Sequence, residues 1–181
     1  MNWNTLPYYG QDGSIAEVFV NDDKTQIKKI YRKGGTTVSG KQCLYSEEAI
    51  EQCFKTELRW NEVLQSKWIP QLIHVDEENK TLIQEYYGLD LLPYYQNDTL
   101  HTTIPNLVDQ VIEMFEFFAK HKVYKINNSL SNMTVKNNQL IAFDFKWAQD
   151  RPNWKFVELY GYKEWMSKID NKLPEILEKL A

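Results

Sequence analysis

The chain has 181 residues, of which 43% are hydrophobic and 25% charged, proportions typical of an ordinary globular domain. Its net charge of -4 argues against a dedicated nucleic-acid-binding protein. No apolar run approaches the roughly 20 residues needed to cross a bilayer. A secretory signal has a basic region followed by an apolar segment, and the N-terminal residues do not show this pattern. We therefore expect one domain, 1–181, that partners neither membrane nor nucleic acid.

The cysteine content bears on the cellular compartment, and the ratio of lysine to arginine bears on the source genome. Cys43 and Cys53 are too few for a disulfide framework, which favours a reducing cytoplasm. Lysine far outnumbers arginine and asparagine is abundant, which hints at an AT-rich genome such as that of a phage or a low-GC bacterium. For a phage protein, the location would be the host cytoplasm.

The first predicted element is a glycine-containing loop that leads into a strand, from Gly10 to Val20. Small residues come first, and an alternating apolar run follows. Glycine lets the backbone approach phosphate oxygens closely, so a loop of this composition is a weak signal for phosphate binding.

A second strand is predicted from Thr25 to Tyr31. Strand alternation puts Lys29 on one face with Ile27 and Tyr31, and Lys28 on the other with Ile30. A lysine on a buried face is costly unless it meets an anion. The alternation leaves Lys29 and Lys28 as competing anion-binding residues, because both faces carry apolar side chains, and two exposed lysines on an edge strand are the third alternative.

A helix is predicted after Ser46, which is a favourable N-cap residue. Its apolar stripe carries an acid, Glu57, which needs a cation there unless it reaches solvent at the boundary of the stripe. Trp60 is expected in the core. Two further strands are predicted at Leu72 to Val75 and at Thr81 to Tyr86.

The middle of the chain is predicted to alternate between irregular and helical structure. Pro93 to Thr103 reads as a polar, irregular stretch, and an amphipathic helix follows from about Pro105 to His121. A hairpin comes next, because the apolar runs Met133 to Val135 and Leu140 to Phe143 are separated by an Asn-rich turn.

That hairpin would carry Asn132 at the start of its first strand and Asp144 at the end of its second. An amide and a carboxylate held together offer the hard oxygen ligands that Mg²⁺ prefers. Asn132 and Asp144 are therefore candidate metal ligands.

The stretch from His121 to Ala148 resembles the catalytic and metal-binding loops of the protein-kinase-like superfamily, whose patterns are H-R-D-x-x-x-x-N and D-F-G. Asn132 and Asp144 match the metal-binding Asn and Asp. Asn127 stands at the catalytic Asp, Lys125 at the His and Lys146 at the Gly of D-F-G. The resemblance thus keeps the metal pair and loses the catalytic base. Lys125 could neutralise phosphate or be an exposed loop residue, and for Lys146 the exposed alternative is favoured.

The resemblance implies roles for residues earlier in the chain. Gly13 and Ala16 align with the glycine-rich loop, Lys29 with the phosphate-binding lysine, and Glu57 with the glutamate that orients that lysine. Tyr31 to Gly35 also resembles a segment of lipopolysaccharide-core sugar kinases, which supports Lys29. The connection between lobes, Glu85, Tyr86 and Tyr87, would hold adenine through backbone groups.

The C-terminal part is predicted to be short. Trp147 to Pro152 is expected to be a loop, Val157 to Ile169 could be a helix, and Pro174 begins a last helix at a favourable first-turn position. The expected fold is α+β, a minimal bilobal kinase-like fold. It would have an N-terminal lobe of about 1–87 with an antiparallel sheet and one helix, and a reduced helical C-terminal lobe of about 88–181.

The function that the resemblance implies is binding of ATP and Mg²⁺ in the cleft, with possible transfer of a phosphoryl group to an unidentified small-molecule or protein hydroxyl beside Asn127. A pseudokinase that serves as a protein-binding scaffold is the alternative, since Asn127 cannot accept a proton as a base would. Transfer of AMP, as a likeness to inverted-nucleotide pseudokinases such as selenoprotein O allows, is a third.

Overall fold

A computed structural model describes residues 2–6, 15–32, 35–36, 42–43, 45–125, 129–152 and 162–179. It is a mixed α+β protein with a five-stranded antiparallel sheet and, in this described part, six α-helices. The chain divides into two compact units. The first comprises Met1–Val63 and Pro70–Tyr86, and the second comprises Leu64–Ile69 and Tyr87–Ala181.

The first unit has, in its described part, seven strands and one helix. The bounds are β1 Trp3–Thr5, β2 Ala16–Asn21, β3 Gln26–Tyr31, β4 Gly35–Thr36, β5 Gln42–Cys43, α1 Glu47–Val63, β6 Leu72–Asp76 and β7 Thr81–Glu85. The five-stranded sheet has the order β1-β2-β3-β7-β6 with every pair antiparallel. A separate two-stranded ribbon, β4 with β5, precedes α1.

The turn from β2 to β3 is fixed by the buried side chain of Asn21. Its Oδ1 accepts hydrogen bonds from the backbone N–H groups of Thr25 and Gln26, both over 2.9 Å. A register slip of one residue would exchange the two faces of β3. By fixing the turn, Asn21 helps hold Lys29 opposite Val18 on the buried face.

Helix α1 begins as the sequence predicts, because Ser46 Oγ accepts a hydrogen bond from the Ala49 N–H. Its buried positions recur at the spacing of one helix face. They are Ile50, Cys53, Phe54, Glu57, Trp60 and Asn61. The stripe packs in a core that includes Ile15, Tyr31 and Leu82, so Glu57 is carried into the interior by its apolar neighbours.

The second unit contains, in its described part, five α-helices and four short strands. The bounds are α2 Leu92–Gln96, α3 Leu100–Thr103, α4 Leu107–Lys120, β8 Val123–Tyr124, β9 Met133–Lys136, β10 Gln139–Ala142, β11 Gln149–Asp150, α5 Tyr162–Ile169 and α6 Leu173–Glu178. The strands form two ribbons, one that pairs β9 with β10 and one that pairs β8 with β11.

The predicted hairpin is present as β9 and β10. Asn137 and Asn138 form its two-residue turn with φ of 51° and 65°, which is the geometry of a type I′ turn. Asn tolerates these left-handed values better than most residues. From α4, Gln110 Oε1 accepts the Leu140 N–H over 2.8 Å, and its Nε2 donates to the Asn138 carbonyl over 2.8 Å. Gln110 therefore holds the hairpin against α4.

Two predictions about local structure are wrong. The stretch Pro93 to Thr103 is mostly helical, because α2 and α3 occupy most of it, and Leu100 supplies a buried side chain that anchors α3. The predicted loop Trp147 to Pro152 contains β11, whose pairing with β8 is a long-range contact that local sequence does not encode. The predicted helix from Val157 is described only from Tyr162 onwards.

Within the described ranges, no helix combines the length and the apolar character that a membrane crossing requires.

Candidate functional site

A buried ion pair lies in the first unit. Lys29 Nζ donates to Glu57 Oε1 over 2.7 Å, with Lys29 8% exposed and Glu57 fully buried. Lys29 lies on β3 between Val18 of β2 and Leu82 of β7, and Glu57 comes from α1. The structure thus brings together the two residues that the sequence predicts to pair.

The neighbouring lysine has a different environment. Lys28 Nζ lies over the rings of Trp3 and Phe19, 4.6 and 5.1 Å from their centroids. These are cation–π contacts on the opposite face of β3 from Lys29. Of the two candidates in the sequence, Lys29 is therefore the one that meets a carboxylate.

Glu57 is also part of a buried polar network that sequence reasoning missed. Asn61, one turn later on α1, donates from Nδ2 to the Glu57 carbonyl over 2.7 Å. Gln84 of β7 donates from Nε2 to Asn61 Oδ1 over 2.5 Å. The network ties the helix that carries Glu57 to the sheet. Glu57 Oε2 is buried and accepts no hydrogen bond from the described residues.

In the second unit, a backbone hydrogen bond brings the segments that carry the two candidate metal ligands, Asn132 and Asp144, next to each other. Asn132 closes a 3-10 turn over Leu130–Asn132, immediately before β9, and is 7% exposed. Its carbonyl accepts the Phe143 N–H over 3.0 Å, which extends the β9–β10 pairing by one step. Asn132 therefore lies opposite the residue that precedes Asp144.

Asp144 leaves the extended conformation of the strand, with φ of 66° in the left-handed region. An L-residue adopts this region at an energetic cost, which Asp tolerates better than most and which recurs at functional positions. The next residue, Phe145, is buried and packs edge to face on Phe118 of α4, with centroids 5.7 Å apart. Phe145 thereby anchors the loop that presents Asp144.

Lys146 is predicted from the sequence to be an exposed loop lysine, and this prediction is wrong, because its side chain is only 16% exposed. Its Nζ lies 2.6 Å from Asp144 Oδ1 and 2.5 Å from Oδ2, and the two side chains are 16% and 22% exposed. The contact forms because the left-handed Asp144 turns the chain, so residues two apart in sequence meet. Both oxygens of the candidate metal ligand thus face an ammonium group.

Lys125, which the sequence left open, is buried with only 2% of its surface exposed. Its Nζ lies 5.4 Å from the ring centroid of Phe145. The alternative of an exposed loop lysine is therefore wrong for Lys125, and the chain holds a second cation beside the loop that contains Asp144.

The oxygen donors fit a hard divalent cation in chemical type. Asp144 offers a partly exposed carboxylate and Asn132 an amide, and Mg²⁺ commonly takes one or two protein oxygens and completes its shell with phosphates and water. The contact with Lys146 indicates that this carboxylate accepts a cation. Among the residues that the structure describes, no group of three or more His, Cys, Asp or Glu side chains could hold a metal by itself.

The remaining predicted residues are less informative. Gly13 and Asn127 lie outside the described residues. Ala16 is in β2, and its side chain lies in the core. A contact with phosphate, as predicted, would therefore be made by the backbone of Ala16. The N–H groups of Glu85 and Tyr86 donate to the carbonyls of Gln71 and Thr25.

Tyr87 begins the second stretch of the second unit. Its carbonyl accepts a hydrogen bond from Thr134 Oγ1 over 3.3 Å, and Lys136 Nζ lies 4.1 Å from its ring centroid. Contact of Glu85, Tyr86 and Tyr87 with adenine stays a prediction. Because the N–H groups of Glu85 and Tyr86 already donate hydrogen bonds within the protein, other backbone groups of this segment would have to contact the adenine.

Sequence signals for the missed residues exist only in part. Asn61 follows Glu57 by four residues on the same helical stripe. Gln84 is two residues after the buried Leu82, so both point to the same face of β7. The sequence could therefore have predicted that Asn61 and Gln84 are buried. The contact of Lys146 with Asp144 has no periodic signal, because it depends on a single backbone angle.

No protein-family model matches the sequence, and a search of curated proteins likewise finds no match.

Proposed function

We propose that the protein is an atypical kinase-like protein that binds Mg²⁺ and ATP in the cytoplasm, with the bilobal kinase-like arrangement as its fold. The observation that carries the proposal is the buried pair of Lys29 and Glu57 on a sheet strand and a helix. In kinase-like proteins, which the sequence resembles, the equivalent lysine holds the phosphates of the nucleotide and the equivalent glutamate orients that lysine.

The energetics of that pair favour a role in binding. Removing two charges from water is expensive, and a buried ion pair is often no more stabilising than apolar residues of the same volume. Such groups are therefore candidates for functional sites. Lysine has three N–H donors, and within the described ranges Glu57 takes one, so donors at a fixed position could serve phosphate oxygens.

The metal would be held by Asn132 and Asp144. Bound there, Mg²⁺ would neutralise negative charge on the phosphates of the nucleotide. The burial of Asn132, the left-handed backbone of Asp144 and the anchor at Phe145 support a preorganised position for the two ligands. Lys125 would add positive charge near the same loop.

Phosphoryl transfer to a hydroxyl acceptor beside Asn127 is the proposed activity. Catalysis of this reaction depends mostly on positioning and charge neutralisation. An amide at 127 can orient a hydroxyl but cannot take its proton. A slow transferase is the expectation, and the acceptor is a small molecule or a protein.

One observation favours the second candidate, a catalytically inactive scaffold that binds another protein. Both carboxylate oxygens of Asp144 are in contact with Lys146, which is an arrangement that needs no metal. A scaffold would be stable without nucleotide, and its melting temperature would not change when nucleotide is added.

Thermal melting with ATP and Mg²⁺ separates the two candidates. Ligand at about 100 times its dissociation constant would stabilise a binder by about 2.7 kcal/mol, and a scaffold would show no shift. The matched variants are Lys29→Met with Glu57→Leu, which removes the buried pair as a unit, and Lys28→Met, which changes the adjacent lysine on the other face of β3. Only the first should lose the shift.

Turnover is tested separately with labelled ATP and a cell extract as the source of acceptors. Wild-type protein should transfer label slowly. Asn127→Asp, which restores a base at the position that the resemblance assigns to one, should transfer it faster. Stabilisation by ATP without label transfer in either protein would leave binding in place and overturn the transferase.

A further inference from the structure

Lys146 occupies the position that a cation would take at Asp144. Its Nζ contacts both carboxylate oxygens, at 2.6 and 2.5 Å. A magnesium ion on the same carboxylate would lie about 2.0 to 2.1 Å from an oxygen. An ammonium group and a divalent ion that close to the same two atoms would repel each other strongly, because like charges a few ångströms apart interact unfavourably where water is partly excluded.

We propose that Lys146 is an intramolecular competitor of the metal, so that a divalent cation binds Asp144 only when Lys146 is released. This inference rests on the metal-binding role proposed for Asp144. When only a fraction of the protein molecules is in the form that can bind a ligand, the apparent affinity for that ligand falls in proportion to the fraction. The contact with Lys146 lowers the competent fraction.

The local structure keeps the competitor in place. Asp144 and Lys146 flank Phe145, whose ring is buried against Phe118, so the loop cannot easily move Lys146 away. The left-handed φ of Asp144 sets the turn that brings the two side chains together. Release therefore requires rotation of the Lys146 side chain and does not require the loop to unfold.

A polyphosphate would favour that release. The ammonium of Lys146 needs an anionic partner when it leaves Asp144, and phosphate oxygens offer one. Nucleotide and metal would then bind together, and free metal would bind weakly. Lys146 thus acts as a positioning residue that couples metal binding to the presence of the phosphates.

The experiment measures binding of Mn²⁺ alone, without nucleotide, from paramagnetic broadening of the backbone amide signals around Asp144. Wild-type protein is compared with Lys146→Met and with Lys146→Arg, which keeps the charge. Lys67→Met is the matched control, since it removes a lysine of the same unit that pairs with a carboxylate, Glu113. Asp144→Asn shows whether the broadening depends on the carboxylate.

Lys146→Met should bind Mn²⁺ at least about tenfold more tightly than wild type, which corresponds to about 1.4 kcal/mol. Lys146→Arg and Lys67→Met should bind like wild type. If the methionine variant does not fold, Lys146→Gln provides the same comparison with a polar side chain.

Equal affinity in wild type and in the methionine or glutamine variant would overturn the competition while leaving Asp144 as a metal ligand. Absence of broadening around Asp144 in every protein would overturn both the competition and the metal role. In that case the ATP-dependent thermal shift still reports separately on nucleotide binding through Lys29.

Discussion

Lys29 on β3 and Glu57 on α1 are 28 residues apart in sequence, and their charged atoms lie 2.7 Å apart in the interior of the first unit. Asn61 and Gln84 continue the polar contacts from the same helix to β7. A helix and a strand that are otherwise packed through apolar side chains are thus also joined by a chain of buried polar groups.

Breaking the ion pair from one side should be more costly than removing it. Glu57→Leu leaves Lys29 buried without its carboxylate and should lower the free energy of unfolding by about 3 to 5 kcal/mol. Adding Lys29→Met should recover most of that loss, because the second change removes the stranded charge. Urea unfolding of both variants provides the measurement. A double variant as unstable as the single one would contradict the argument.

The amide network should contribute to stability independently of ligand. Gln84→Leu removes the donor to Asn61 Oδ1 and leaves a buried acceptor without that bond, which should cost about 1 to 3 kcal/mol. Gln71→Leu, at an exposed position of the same unit, is the control and should change stability by less than about 0.5 kcal/mol. Equal effects of the two substitutions would show that the network is not what stabilises β7 against α1.

The hairpin should depend on its contact with α4. Gln110→Leu removes four side-chain hydrogen bonds, of which three are to the hairpin, with the Leu140 N–H, the Asn138 carbonyl and Gln139 Nε2, and the fourth is to the Pro105 carbonyl. The loss should destabilise the protein by about 1 to 3 kcal/mol. Hydrogen exchange of the Leu140 amide should accelerate more than that of amides in β3. Unchanged protection at Leu140 would mean that Gln110 does not hold the hairpin.

The metal-dependent part of nucleotide binding should require Asp144. In Asp144→Ala, the thermal shift with ATP and Mg²⁺ should fall to the shift seen with ATP and a chelator, because no carboxylate remains to hold the metal. Glu116→Ala, which removes an exposed acid on α4, should keep the wild-type difference. A full Mg²⁺-dependent shift in Asp144→Ala would rule out the assignment of this ligand.

A pH effect is expected at the β6–β7 turn. Hydrogen bonds from the Asn79 side chain, and then from its backbone N–H, hold the pKa of the Asp76 carboxyl below its ordinary value. A depressed folded pKa contributes stability that is present above the unfolded pKa of about 3.9 and lost as pH falls through the folded value. The pKa of Asp76, followed by NMR, should rise towards its ordinary value in Asn79→Ala, and an unchanged value would refute the cause given.

Local sequence was sufficient for elements whose signal is periodic or chemical. The capped start of α1 and the Asn-rich turn of the hairpin each follow from capping or turn chemistry within a few residues. The pairing of Lys29 with Glu57 was implied by the resemblance to kinase-like proteins, and local sequence added only that an acid on an apolar stripe needs a cation.

Tertiary structure decided what those local patterns leave undetermined. It selected Lys29 over Lys28, buried Lys125, formed α2 and α3 from a polar stretch and paired β11 with β8. It also placed Lys146 on Asp144 through one left-handed residue. The physical reason is that burial and long-range pairing depend on which surfaces meet when the chain packs, and a single backbone angle can redirect a side chain without leaving any period in the sequence.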